Sequence, residues 1–129
     1  MKMRDISFSN VCVTIKVDEY IREDGSNPYQ TWFDELSAPA AAKVAVAIAR
    51  LELGNTSRIE WFRGVGEYKI DWGPGYRIYL AKDGDALIVL FGGSTKKGQQ
   101  KAIDLAVLLH DEYKARKKSI ANLVKGKSK

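Results

Sequence analysis

Residues 64–80 read GVGEYKIDWGPGYRIYL, and they decide the fold because two alternating segments flank a glycine-rich turn. Apolar and charged residues alternate along 67–72, and the alternation returns along 76–81. A period of two residues is typical of a strand with one buried face. Gly73-Pro74-Gly75 is a turn signal between the two segments. The stretch therefore predicts a β-hairpin with one apolar and one charged face.

Turn residues also predict how the strands pair. A three-residue loop at 73–75 and a two-residue loop at Asp83-Gly84 would close two consecutive hairpins. The predicted opposite pairs are Asp71 with Arg77, Lys69 with Tyr79, Leu80 with Leu87 and Ile78 with Val89. The predicted charged face holds Glu67, Lys69, Asp71, Arg77 and Tyr79, with Ile88 and Leu90 beside them on the next strand. A slip of one residue would move every side chain to the other face.

The rest of the chain predicts strands and helices around this hairpin. A β-branched run indicates a strand over about 9–22, and a shorter one is expected over 58–63. Asn27-Pro28 is typical of a helix start, and a second helix is expected near 40–53. So short a link predicts that these two helices form an antiparallel hairpin. A last helix is expected from about Lys97, which makes the fold class α+β.

Composition excludes several kinds of protein. The chain has 129 residues, 45% of them hydrophobic, which suits one domain over 1–129 with a packed core. A single cysteine, Cys12, and a single histidine, His110, exclude an internal disulfide, a cysteine-rich zinc site and a multi-histidine metal site. We expect no metal and no cofactor. The sequence shows no apolar run of membrane-spanning length and no signal peptide, so we expect a cytoplasmic protein with no membrane partner.

Positive charge is concentrated in the last third of the chain. Residues 1–93 carry a net charge of −2, and residues 94–129 carry +7, within a total of +5. Such a gradient favours a polyanionic partner, either nucleic acid or an acidic protein. The alternative is a solvated helix with a lysine-rich end. A basic C-terminal tail is expected from about residue 111.

The charged face of the predicted hairpin suits phosphate chemistry. Arginine offers a planar fork to phosphate oxygens, and lysine offers a mobile point charge. A ribonuclease that works without metal must activate the 2′-hydroxyl, neutralise charge on the phosphate and protonate the leaving 5′-oxygen. A lysine among other cations is able to act as a base. The alternative is simple cross-strand charge pairing, worth roughly 0–1 kcal/mol for each pair.

Six segments in order resemble a known toxin family. They are WFDEL at 32–36, the helix end LGN at 53–55, GVGEYKI at 64–70, GPGYRIY at 73–79, LFGGSTKKGQ at 90–99 and IDLA at 103–106. In this order and spacing they are similar to the addiction module killer protein branch of the RelE/ParE toxin superfamily, close to HigB-type toxins. The resemblance covers roughly residues 28–107.

The resemblance implies a fold and a function. It implies a RelE-like fold, in which a twisted, mainly antiparallel sheet carries an N-terminal helical hairpin and a C-terminal helix. It implies the toxin of a type II toxin–antitoxin system, a metal-independent endoribonuclease that cuts mRNA on the ribosome and so inhibits translation. The implied partners are a cognate antitoxin, a HigA-like helix-turn-helix protein, together with the ribosome and mRNA.

The same resemblance assigns site residues. Arg77 matches the strand arginine that contacts the scissile phosphate, and Lys69 stands where the branch commonly has arginine. Lys96 matches the lysine of the Gly-Gly-Asp-Lys segment, although Thr95 or Lys97 could be the true counterpart. Some members carry a tyrosine in the last helix, at a position near Ile103 here. Tyr79 is the candidate substitute, although a tyrosine at this place also belongs to the family's strand pattern. Further candidates for binding RNA phosphates are Arg63, Lys97 and Lys101.

Two other functions remain open at this stage. A ParE-like toxin shares the fold but poisons DNA gyrase by protein contact, so it would not need Lys69 or Arg77 for catalysis. A degenerate protein would bind the antitoxin without any activity. Trp61, Phe62 and the two first helices are candidates for the antitoxin surface, but equally for the core.

Overall fold

The structure, a computed structural model, describes residues 14–127; Cys12 and the start of the first predicted strand lie outside this range. Its elements are β1 (Lys16–Glu19), α1 (Pro28–Asp34), α2 (Ala38–Glu52), β2 (Ile59–Phe62), β3 (Val65–Ile70), β4 (Tyr76–Asp83), β5 (Leu87–Thr95), a 3₁₀ turn (Lys96–Gly98) and α3 (Gln99–Lys127). The predicted α+β class and the C-terminal helix are confirmed. No helix within the described residues is both long enough and apolar enough to cross a membrane.

The five strands form one mixed sheet in the order β1-β5-β4-β3-β2. β1 runs parallel to β5, and the other three pairings are antiparallel. One face packs against α1 and α2 through residues such as Tyr29, Val44 and Leu51. The other face packs against α3 through Ala106 and Leu109. The sheet therefore separates two hydrophobic cores.

α1 and α2 each begin at a residue whose side chain caps the helix, and for α1 this is the predicted Asn27. The side chain of Asn27 accepts a hydrogen bond from the backbone N–H of Gln30 at 3.0 Å, and Pro28 opens α1. The hydroxyl of Ser37 accepts one from the backbone N–H of Ala40 at 3.3 Å. Each bond satisfies an N–H that the first turn of a helix leaves unpaired.

The predicted helical hairpin is not clearly seen. α1 has only seven residues, which is two turns, and it packs mainly on β5. α2 instead contacts β1 and β3. Trp32 of α1 explains the difference, because its indole lies against Gly93 of β5. Each helix therefore packs on the sheet, and the short link between α1 and α2 does not make them pack as an antiparallel hairpin.

The register of β3 and β4 differs from the prediction by two residues. Lys69 lies opposite Arg77, and Glu67 lies opposite Tyr79. The loop is longer than expected and spans 71–75, so Asp71 lies outside the ladder instead of opposite Arg77. An even shift leaves every side chain on its predicted face. The shared face of Lys69 and Arg77 therefore survives the error.

The register of β4 and β5 differs from the prediction by four residues over 76–79 and by three over 80–83, and the predicted face of residues 87–91 is wrong. Leu80 lies opposite Leu90, not Leu87, and the pairing changes step at a bulge between Tyr79 and Leu80. Val89 and Phe91 lie on the face that packs against α3, whereas Ile88 and Leu90 lie on the other. The charged face consequently has Val89 and Phe91 beside it on β5, in place of the predicted Ile88 and Leu90.

Candidate functional site

A buried polar cluster lies where the start of α3 crosses the sheet. Its members are Glu67 of β3, Arg77 and Tyr79 of β4, Ser94 of β5 and Gln99 of α3, and they are called the polar cluster below. Glu67 is 2% exposed and Tyr79 is fully buried. Charged side chains are rarely buried to this degree unless they are paired.

One carboxylate oxygen organises the cluster. The Tyr79 hydroxyl donates to Glu67 Oε2 at 3.1 Å, and Gln99 Nε2 donates to the same oxygen at 2.8 Å. The hydroxyls of Tyr79 and Ser94 share a further hydrogen bond at 3.1 Å. Burial, more than any neighbour, raises the pKa of Tyr79 to about 12. At neutral pH the side chain is therefore a phenol that donates to Glu67.

Arg77 is the incompletely satisfied member of the cluster. The residue is 9% exposed, and its Nη1 donates to the backbone oxygen of Gly75 at 3.1 Å. Its Nε lies 3.7 Å from Glu67 Oε2, which is too long for a hydrogen bond. That buried Nε finds no acceptor among the described residues. A guanidinium with a buried, unpaired donor is suited to receive an anion oxygen from outside.

Lys69 lies directly across the strand pair from Arg77. Opposed side chains on neighbouring strands stand about 5 Å apart at Cβ, and like charges in that position repel. The Lys69 side chain is 43% exposed, and its Nζ lies 3.6 Å from Glu60 Oε1. Two cations thus share one patch of sheet, one buried and one accessible.

The charge pairs expected on this face are rearranged. Asp71 does not pair with Arg77; its nearest cation is Arg58, at 3.9 Å. Glu67 lies beside Arg77, and Lys69 lies beside Glu60 of the neighbouring strand β2. The local charge balance is therefore set by two glutamates that the sequence pattern did not pair correctly.

The remaining predicted cations lie in two turns and on α3. Lys96 and Lys97 are exposed in the 3₁₀ turn that leads into α3, next to the polar cluster. Lys101 is exposed one turn further on. Arg63 lies in the turn between β2 and β3, at the opposite end of β3 from Lys69, where it pairs with Asp104 at 3.3 Å. The structure therefore groups Lys69, Arg77 and the two turn lysines, and leaves Arg63 apart.

The cluster includes two residues that the predicted charged face did not contain. Ser94 faces Arg77 across β4 and β5, and Gln99 bonds Glu67 from the first position of α3. The sequence pattern did not place Ser94 beside Arg77 because the predicted register of β5 is wrong. Gln99 was hidden because nothing local to it indicates which strand α3 crosses.

The chain is therefore an α+β protein with a mixed five-stranded sheet. The side chain of Arg77 lies in a buried polar cluster on one face of that sheet. No family model matches the chain, and no solved structure matches it. An uncharacterized protein of Haemophilus influenzae (strain ATCC 51907 / DSM 11121 / KW20 / Rd) is 37% identical over 86 residues, which is 65% of this chain and 87% of the relative. The chain belongs to the same protein family as that Haemophilus protein.

Proposed function

We propose that this protein is the toxin of a type II toxin–antitoxin system, with a RelE-like fold, and that it cuts mRNA on the ribosome. One observation carries the proposal: Lys69 lies opposite Arg77 on one sheet face, and the buried Arg77 Nε lacks an acceptor within the described residues. Two adjacent cations and a free donor suit a phosphate group, whose charge would offset the repulsion between them.

The proposed reaction is a transfer within the RNA backbone. The 2′-oxygen attacks phosphorus, the bond from phosphorus to the 5′-oxygen breaks, and the products are a 2′,3′-cyclic phosphate and a 5′-hydroxyl. Arg77 holds the phosphate oxygens while charge accumulates on them. Lys69 takes the proton of the 2′-hydroxyl when it is present as the free amine, and Lys96, as the ammonium, is the proton donor to the leaving 5′-oxygen. Preorganised donors of this kind are worth about 3–4 kcal/mol of transition-state stabilisation each.

Tyr79 takes a different role from the direct one expected for it. Its hydroxyl is fully buried and bound to Glu67 and Ser94, so contact with RNA would require the cluster to open. We assign it to positioning: Tyr79 holds Glu67, and Glu67 holds the guanidinium of Arg77.

The test is expression of the chain in cells, with mRNA 5′ ends mapped by sequencing. Lys69→Ala and Arg77→Lys should each lower cleavage in the ribosomal A site by about 10²-fold or more. Lys69→Ala keeps the fold, because an exposed ion pair contributes only about 0–1 kcal/mol. Lys82→Ala is the matched control, since Lys82 is exposed at the opposite end of β4 from Arg77.

Two outcomes would contradict the proposal. Growth arrest with intact mRNA and gyrase-linked DNA breaks would indicate a ParE-like toxin. Neither arrest nor cleavage, with binding to a small helix-turn-helix protein encoded beside this gene, would indicate a non-catalytic antitoxin-binding protein. The deep burial of Arg77 and Tyr79 is the observation that favours this second candidate, because the cluster is also a coherent structural network.

A further inference from the structure

A cleft lies between α2 and the C-terminal end of β3, and it is called the α2 cleft below. Its volume is about 240 Å³, and it is lined by Lys43 and Arg50 of α2, Arg58, Lys69 and Ile70 of β3, and Trp72. Pockets that enclose a whole drug-sized ligand measure about 300–1,000 Å³. This α2 cleft is smaller, so it has room for a single ring system.

The α2 cleft is strongly positive. Four of its lining residues are cations: Lys43, Arg50, Arg58 and Lys69. Asp71 is the one carboxylate among the described lining residues; its side chain is 87% exposed and lies 3.9 Å from Arg58. Because the Lys69 Nζ lies beside Glu60 Oε1 at 3.6 Å, three cations face one carboxylate in the cleft, which leaves a net charge of about two positive units around a small space. A site of this charge selects anions.

An aromatic side chain forms part of the wall. Trp72 is 36% exposed and lies in the 71–75 loop that follows β3. Its ring lies 6.2 Å from that of Tyr76, centroid to centroid, with 24° between the planes. The ammonium of Lys43 lies 5.8 Å from the indole centroid. Neither neighbour is close enough to cover the indole face fully.

We propose that the α2 cleft binds one nucleotide of single-stranded RNA, with the base stacked on Trp72 and the phosphate held by Arg58 and Lys43. Cations beside an accessible aromatic ring are the combination that binds single strands. A displaced Lys43 costs little, because an exposed cation–π contact is worth about two- to fivefold in affinity. Base stacking is worth about fivefold to 100-fold.

This inference rests on the proposed function, and the two sites lie at the same end of the β3–β4 hairpin. Lys69 lines the α2 cleft and also lies opposite Arg77. Trp72 is in the 71–75 loop, whose Gly75 carbonyl accepts from Arg77 Nη1 at 3.1 Å. The α2 cleft and Arg77 lie on opposite faces of the sheet, since Tyr68 and Ile70 pack with α2 whereas Tyr79 packs with α3. A strand of RNA with its scissile phosphate at Arg77 would therefore pass around the 71–75 loop to place another nucleotide at Trp72.

The experiment measures binding of the full chain to a fluorescein-labelled, single-stranded RNA decamer by polarisation. The decamer carries 2′-O-methyl groups, so it lacks the attacking hydroxyl and is not cleaved. Trp72→Ala should weaken binding about tenfold or more, and Trp72→Phe should restore most of it. Trp61→Ala is the matched control, because Trp61 is a similarly exposed tryptophan outside the cleft.

A charge variant tests the phosphate contact separately. Arg58→Gln should lower the slope of log affinity against log salt by about 0.7, the value for one phosphate contact on a single strand. Lys82→Gln, at the far end of β4, should leave that slope unchanged. Trp72→Phe keeps the test valid if Trp72→Ala melts at a lower temperature, because a phenyl ring retains packing at that position.

Each outcome separates the two proposals. Equal affinity in wild type, Trp72→Ala and Trp72→Phe would overturn the stacking site while leaving the nuclease proposal standing. Equal affinity for duplex and single-stranded RNA would overturn it too, because paired bases cannot stack on a side chain. No binding by the wild-type chain would overturn the α2 cleft; the mapped mRNA ends would then decide the nuclease proposal alone.

Discussion

Tyr79 shows how one hydroxyl supports a buried charge. It is one of two donors to Glu67 Oε2, and Glu67 is the counter-ion closest to the unpaired Arg77 Nε. We expect Tyr79→Phe to lower the free energy of unfolding by about 1–3 kcal/mol, the cost of leaving buried polar groups short of a partner. Urea unfolding followed by circular dichroism measures this difference.

The control for this change is Tyr76→Phe on the same strand. Tyr76 is only half-buried, and its hydroxyl makes no hydrogen bond that the structure shows between described residues. Its variant should stay within about 0.5 kcal/mol of the parent. Equal effects at the two tyrosines would contradict the view that Tyr79 is held by specific bonds.

His110 gives the molecule a stability change at mildly acidic pH. It packs on Phe91 at 5.7 Å between ring centroids, and burial lowers its pKa, with Lys114 adding to that effect and Asp111 opposing it. A histidine with a lower pKa in the folded state binds its proton more readily when unfolded. Stability is therefore full above the unfolded pKa of about 6.5 and declines as pH falls below it.

Thermal melting at pH 7 and pH 5 measures this effect. His110 is the only histidine in the chain, so the wild-type melting temperature should fall over this window and that of His110→Gln should fall less. The carboxylates with lowered pKa values, Asp83 and Glu112 among them, lose their stabilising charge only below about pH 4.5. Parallel pH curves for the two proteins would refute the assignment.

Candidate site residues were predictable where they depended on strand alternation alone. Lys69 and Arg77 were expected on one face, and they are there because the register error was even. The burial of Tyr79 was not predictable, since it depends on where α3 crosses the sheet. Nothing within a few residues of Tyr79 carries that information.

At the scale of elements, β5 explains why one register failed. Residues 87–91 are apolar on both faces because the strand lies between β1 and β4 and both faces are covered. Continuous apolar strands contain no alternation to fix their register. The bulge between Tyr79 and Leu80 adds a further step that turn residues do not indicate. The register of a hairpin with one polar face, such as β3–β4, is easier to predict because its apolar and polar residues alternate.

The packing of α1 on β5 depends on one position without a side chain. A Cβ at Gly93 would lie 2.5 Å from the Trp32 ring, which is well inside contact distance. We expect Gly93→Ala to destabilise the fold by about 1–3 kcal/mol through overpacking. Gly98→Ala is the control, because a Cβ there would meet only Ser94 Cβ at 3.8 Å.

Differential scanning fluorimetry of both variants measures the contrast. The Gly93 variant should melt several degrees lower, and Trp32→Leu in the same chain should recover part of the loss by making room. If the two glycine variants melt at the same temperature, Trp32 does not depend on Gly93 for its place, and this contact does not hold α1 on β5.

Across the whole molecule, positive charge is concentrated towards the C-terminal end of α3, where the side chains of residues 119–125 are exposed. The C-terminal part of α3 contacts the body through Lys117, whose Nζ lies 2.5 Å from Asp83 Oδ1, and through Arg116, which donates to the backbone oxygen of Ile21. Residues 119–125 are all exposed, including Ile120, Leu123 and Val124. Apolar and basic side chains on a projecting helix indicate a surface for another macromolecule.

Ending the chain after Lys118 tests that separation of roles. The truncation removes three lysines and takes the formal net charge from +5 to +2. The melting temperature should change little, because no described side chain beyond residue 118 is buried. Under the proposed function, ribosome binding should weaken, and its dependence on salt should fall because phosphate contacts are lost. Sedimentation with purified ribosomes at two salt concentrations measures both; unchanged binding would mean that the projecting helix does not contact ribosomal RNA.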